Sequence, residues 1–184
     1  EGVSISNNFI VGVPGDGVVI SSAIEPKLTH NYLTDAGYSY FVPNSGSVAV
    51  GTAPKAMGNR QNPLIVNNST NFAGLWFIGT MDAVAEFNES VNNVWTCNDG
   101  EAFDADMYTW GTVFQYNYTY KNNGGFCLFM TSPNQMDDGT VVRYNVSVMD
   151  GEGVGTPNDG RKAIFHYNKE PDAIYNNLFI LGDG

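Results

Sequence analysis

Apolar and polar side chains alternate along this chain in short runs, and turn signals separate one run from the next. Pro14-Gly15-Asp16-Gly17, Pro43-Asn44-Ser45-Gly46, Asn98-Asp99-Gly100, Asn122-Asn123-Gly124-Gly125, Asp138-Gly139 and Asn158-Asp159-Gly160 are such signals. Between them, Val18–Ile24, Tyr38–Val42, Phe72–Ile78, Val91–Thr96, Tyr108–Tyr120, Phe126–Thr131, Thr140–Met149, Lys162–Tyr167 and Ile174–Leu181 read as strands. Many short strands without helical spacers predict an all-β, antiparallel β-sandwich of jelly-roll type. With no low-complexity linker, charge block or internal repeat in view, residues 1–184 read as a single domain.

Asn123-Gly124 predicts a hairpin, because Asn-Gly supplies the two positive-φ positions of a type I′ turn. Pairing Lys121 with Phe126 then puts Tyr116, Tyr118, Tyr120, Cys127 and Phe129 on one face, expected to be core. Gln115, Asn117 and Thr119 fall on the opposite, partly solvated face.

Composition sharpens the picture. The chain is 42% apolar, enough for its own core. Its 19 acidic and 8 basic side chains leave a formal charge of −11, which opposes nucleic acid and anionic membrane surfaces as partners. No apolar run is long enough for membrane insertion as a helix. A chain beginning at Glu1 rather than Met reads as processed or cut from a longer polypeptide.

Two cysteines, Cys97 and Cys127, are expected to form a disulfide, closing a loop of roughly 30 residues at a gain of roughly 3 to 4 kcal/mol. Asn-x-Ser/Thr occurs at Asn67, Asn68, Asn88, Asn117 and Asn145, more often than chance pairing gives, and suggests a glycoprotein surface.

Candidate chemistry is sparse. His30 reads as a surface residue and His166 as a structural one. No nucleophile elbow or phosphate-cradling loop is present. Asn98, Asp99, Glu101, Asp104 and Asp106 place four carboxylates in a short acidic stretch, so Asp99, Glu101, Asp104 and Asp106 are candidate Ca²⁺ ligands, and Ca²⁺ is the one cofactor the composition invites. The aromatics that follow suggest a sugar site of Tyr108, Trp110, Asn98, Asp104 and Asp106. Trp76, apolar on both sides, reads as core.

By elimination the sequence reads as a non-enzymatic, surface-exposed structural or attachment domain. A projecting viral capsid or spike domain and a cell-surface adhesin or filament subunit are the forms considered. Such a domain would be extracellular, at a cell or virion surface, would self-associate, and would bind a receptor or glycan. The alternative is a secreted carbohydrate-binding module or lectin, with a small jelly-roll glycoside hydrolase third.

Overall fold

The computed structural model describes residues 2–13, 16–36, 49–50, 64–65, 73–93, 100–130, 139–151, 163–167 and 173–182. The chain winds as a parallel β-helix in which each coil gives one short strand to each of three sheets. Sheet A holds β1 (Ser4–Ser6), β4 (Lys27–Thr29), β9 (Val84–Glu86), β12 (Val113–Gln115), β15 (Val141–Arg143) and β18 (Ala173–Tyr175). Sheet B holds β2 (Phe9–Val11), β5 (Tyr32–Thr34), β10 (Glu89–Val91), β13 (Tyr118–Tyr120), β16 (Val146–Val148) and β19 (Leu178–Ile180). Sheet C holds β3 (Val18–Ser21), β8 (Leu75–Ile78), β11 (Glu101–Ala105), β14 (Gly125–Met130) and β17 (Ile164–Tyr167). Every pairing within these sheets is parallel, and the antiparallel pair among the described residues is β6 (Ala49–Val50) with β7 (Leu64–Ile65).

The antiparallel jelly roll is therefore corrected. The expected hairpin does not form, because β13 and β14 belong to different sheets and the Asn-Gly turn between them is a corner of the coil. Its N–H groups bond along the helix axis to the preceding coil: Asn123 N donates to Asn93 O at 3.0 Å and Gly124 N to Gly100 O at 2.8 Å. The expected facing of the tyrosines is also reversed. Tyr116 and Tyr118 are 46% and 39% exposed, whereas Asn117 and Thr119 are 2% and 0% exposed. Polar groups enter this core because parallel coils let them bond to their own equivalents one coil away.

The corner from sheet A to sheet B shows how. It always consists of two residues, the first at φ near +55° and the second an asparagine: Asn7-Asn8, His30-Asn31, Phe87-Asn88, Tyr116-Asn117, Tyr144-Asn145 and Asn176-Asn177. Each interior asparagine stacks on the next. Asn117 Oδ1 accepts Asn88 N at 3.0 Å and Asn88 Nδ2 at 3.1 Å, while Asn117 Nδ2 donates to Asn145 Oδ1 at 3.0 Å and to Ala85 O at 2.9 Å. The amide's whole donor and acceptor capacity is used, which is what allows it to be buried.

The chain does carry an internal repeat, then, and the sequons are its trace. Two residues after the ladder asparagine, Ser90, Thr119 and Ser147 point inward from sheet B, so the repeat spells Asn-x-Ser/Thr. Asn88, Asn117 and Asn145 are enclosed with their amides bonded, which leaves no room for a glycan in the folded chain. Asn67 and Asn68 lie outside the described residues.

Outside the same corner, rings stack on one another. His30 lies 5.1 Å from Phe87, Phe87 5.1 Å from Tyr116, and Tyr116 5.2 Å from Tyr144, nearly parallel from Phe87 onward. Offset stacking of this kind compensates part of the cost of the left-handed backbone at each ring-bearing residue. The apolar interior centres on Phe114, whose ring lies 5.5 Å from Phe103, 6.1 Å from Phe77 and 6.4 Å from Phe129. Leu28, Leu75 and Val142 belong to the same cluster. Cys127 is buried on β14, and Cys97 lies outside the described residues.

A second polar ladder follows sheet B. Asn93 Nδ2 donates to Asn122 Oδ1 at 2.6 Å, and Asn122 Nδ2 to Asp150 Oδ1 at 2.8 Å. Asp150 Oδ2 accepts the hydroxyls of Thr119 and of Ser147, the latter at 2.6 Å. Burial pushes the Asp150 carboxyl above its ordinary 3.8, against the opposing effect of these hydrogen bonds. The folded state thus binds this proton more tightly than the unfolded chain does. The stabilisation it brings is complete below the ordinary carboxylate value and is lost as pH rises through the raised one. Asp150→Asn, which keeps the amide ladder and removes the titration, is expected to gain melting temperature relative to the parent as pH rises from about 4 to about 7. A difference that stays flat across that range in paired thermal melts would contradict this.

Candidate active site

Sheet C is where the coils differ from one another. The A-to-B corner never varies in length, whereas the connections entering sheet C span 12–17, 35–74, 92–100, 121–124 and 149–163, and those leaving it span 22–26, 79–83, 106–112, 131–140 and 168–172. Variable connections on a rigid scaffold are where binding groups gather.

On sheet C, Leu75 and Phe77 of β8 and Phe103 and Ala105 of β11 point into the core, so Trp76 and Asp104 between them point outward. The parallel register sets Val19, Trp76, Asp104 and Leu128 in one outer column across four adjacent strands. Asp104 is only 4% exposed although it is on the outer face. The earlier placement of Trp76 in the core is corrected, since it is half-buried on the outside and its indole is fixed there. Asp16 Oδ1 accepts Trp76 Nε1 and the Ala73 backbone N–H, both at 3.0 Å. Burial raises the Asp16 carboxyl above its ordinary value, and the two hydrogen bonds oppose that rise.

Asp106 follows Asp104 by one strand repeat, just past the end of β11. Its backbone N–H donates to Phe77 O at 3.0 Å, and its Oδ1 accepts Met107 N at 2.6 Å. Glu101 is buried at the start of β11. Glu101 and Asp104 therefore sit on an extended strand, with Asp106 just beyond it, rather than on a turning loop. Among the described residues no three His, Cys, Asp or Glu side chains come together as a metal set. Asn98 and Asp99 lie outside the described residues. Tyr108 is exposed at φ +63°, and Trp110 forms an isolated parallel bridge with Met81, its backbone N–H donating to Thr80 O at 2.9 Å.

Asp104 and Asp106, singled out in the sequence as metal and sugar ligands, lie on and just past β11, beside a pair the sequence did not mark for a site, Asp16 and Trp76. Asp16 was visible only as part of a turn signal. The flanks of Trp76 are apolar on both sides, which hides the direction in which the indole points.

No protein-family model matches the chain. It is 33% identical over 159 residues to the lacto-N-biosidase of Bifidobacterium longum subsp. longum, a match that takes in 83% of this chain and 8% of that protein. The crystal structure of the GH136 lacto-N-biosidase from Eubacterium ramulus matches 97% of this chain with a TM-score of 0.60 at 21% identity in its selenomethionine form. The native form gives 0.55 at 19% identity. This chain spans 28% of the length of the Eubacterium protein and far less of the Bifidobacterium one. The fold is shared with these structures. The expectation of a non-enzymatic capsid, spike or adhesin domain is overturned, because the proteins this chain resembles are glycoside hydrolases.

Proposed function

We propose that this chain is the β-helical part of a glycoside hydrolase of the lacto-N-biosidase type, with its site on the outer face of sheet C. The observation that carries this reading is the outward, enclosed carboxyl of Asp104 on the central strand of that sheet, beside the fixed indole of Trp76. The similarity to lacto-N-biosidases across most of the chain supports it.

Glycoside hydrolysis asks for two carboxyl groups flanking the scissile bond, one to protonate the leaving oxygen and one to attack the anomeric carbon or to activate water. Asp104 is on β11 and Asp106 follows its last residue, Ala105, so the two lie two residues apart, a backbone separation of roughly 6.6 Å in extended chain. Asp104 and Asp106 are that pair in this reading. The enclosure of Asp104 keeps bulk water from the reacting bond, and the indole offers an apolar plane to a sugar ring.

The test is turnover of an aryl lacto-N-bioside by the full-length protein. Asp104→Asn and Asp106→Asn are each expected to lower kcat by about a thousandfold or more while the melting curve is kept. If both variants retain turnover within about tenfold of the parent, the assignment fails.

A further inference from the structure

Trp76 and Asp16 are 60 residues apart in sequence and come from neighbouring coils, yet they form one unit. Asp16 uses a single oxygen, Oδ1, for both the indole N–H and the backbone N–H of Ala73, three residues before Trp76. A carboxylate that bonds both the ring and the main chain just before the ring's strand fixes the ring's rotation relative to that strand. In the outer column Trp76 stands directly between Val19 and Asp104. Val19 is 45% exposed, and Asp104 stands on the other side of Trp76 in the same column. The stacked rings at the A-to-B corner cover one another's faces and present edges, so they do not offer a comparable plane.

We propose that the Trp76 indole is the stacking platform for a hexopyranose ring beside Asp104, and that Asp16 is its positioning residue. This rests on the glycoside hydrolase reading above. The apolar face of a pyranose, with its axial C–H groups, lies on the aromatic plane, and the Asp16 hydrogen bond holds that plane ready to receive the ring on the same outer column as Asp104. Asp16 acts through Trp76 and touches no reacting atom.

The experiment uses the full-length protein and lacto-N-biose as the probe, followed by tryptophan fluorescence and by the indole N–H signals of an ¹⁵N-labelled sample. In the parent, the sugar is expected to change the Trp76 emission and to shift its indole resonance. Trp76→Phe should abolish both changes and weaken binding about tenfold. Asp16→Ala should raise KM by about tenfold with kcat within about twofold, and should speed hydrogen exchange at the indole in the absence of sugar. Asp16→Asn, which keeps an oxygen acceptor, should restore KM to within about twofold of the parent.

If Trp76→Phe and Asp16→Ala bind and turn over like the parent while Asp104→Asn is inactive, the platform assignment is wrong and the hydrolase reading stands. If Asp16→Ala does not fold, Trp76→Phe and the indole exchange of Asp16→Asn decide the matter. A parent that neither binds lacto-N-biose nor cleaves the aryl substrate overturns the hydrolase reading and this proposal with it.

Discussion

Asn117→Ala is expected to cost about 3 to 6 kcal/mol of folding stability, enough to unfold a domain of ordinary stability. The truncation removes the acceptor for two donors at once, the backbone N–H and side-chain Nδ2 of Asn88, and removes the donor to Ala85 O. These groups lie in the interior, where each unsatisfied one costs about 1 to 3 kcal/mol. The backbone N–H of residue 117 would still reach Asn145 Oδ1. Asn117→Asp is expected to be no better. It keeps the acceptor for Asn88 but turns an oxygen toward Asn145 Oδ1 and Ala85 O, both acceptors already. By contrast, Asn8 ends the ladder in an exposed position, and Asn8→Ala should cost about 1 kcal/mol or less. Urea unfolding of the three variants checks the order. A loss below about 1 kcal/mol for Asn117→Ala would mean that water replaces the ladder, and that the ladder does not hold the coils together.

Gly74→Ala is the second large effect, expected at about 2 to 4 kcal/mol together with a loss of the turnover proposed above. A Cβ at this position would stand 2.4 Å from Ala102 O, 3.0 Å from Ser90 Oγ and 3.1 Å from Leu33 Cδ2. The nearest atom is main chain and cannot swing aside. Gly74 is also pinned from both sides, its N–H donating to Glu101 O at 2.9 Å and its carbonyl accepting Val18 N at 2.9 Å. Relief must come from moving β8 away from β11, the strands that carry Trp76 and Asp104. Activity should therefore fall further than the unfolded fraction alone explains. Gly79→Ala is a control. Its φ of +61° strains any other residue, but the nearest atom to a Cβ is 3.7 Å away, so only the backbone cost of about 1 to 2 kcal/mol is expected. Equal losses at the two glycines, read by chemical denaturation, would show that the close approach of β8 to β11 is not rigid.

Strand content and the corner signals are legible in the residues themselves. Asn122-Asn123-Gly124 does turn the chain, at the corner between β13 and β14. Sheet topology is not legible from alternation alone, because three alternating residues look the same whether the next strand folds back or continues around a coil. The distinguishing signal was an aromatic-Asn pair followed two residues later by a hydroxyl, at Phe87-Asn88-Glu89-Ser90, Tyr116-Asn117-Tyr118-Thr119 and Tyr144-Asn145-Val146-Ser147. Read as sequons, these segments pointed outward. Read as a repeat, they give the buried ladder. The candidate site was legible only in part, since Asp104 and Asp106 are two residues apart in sequence but Asp16 and Trp76 meet across a coil, and no local spacing encodes that meeting.

The constancy of the two-residue corner has a consequence for how such a molecule can diverge. One flank of the solenoid works as a spine whose identical steps must stay in step, while the opposite flank accepts extra chain at any step without disturbing the steps above or below. New specificity can therefore be grafted by lengthening a single connection beside sheet C, leaving the spine to fold as before.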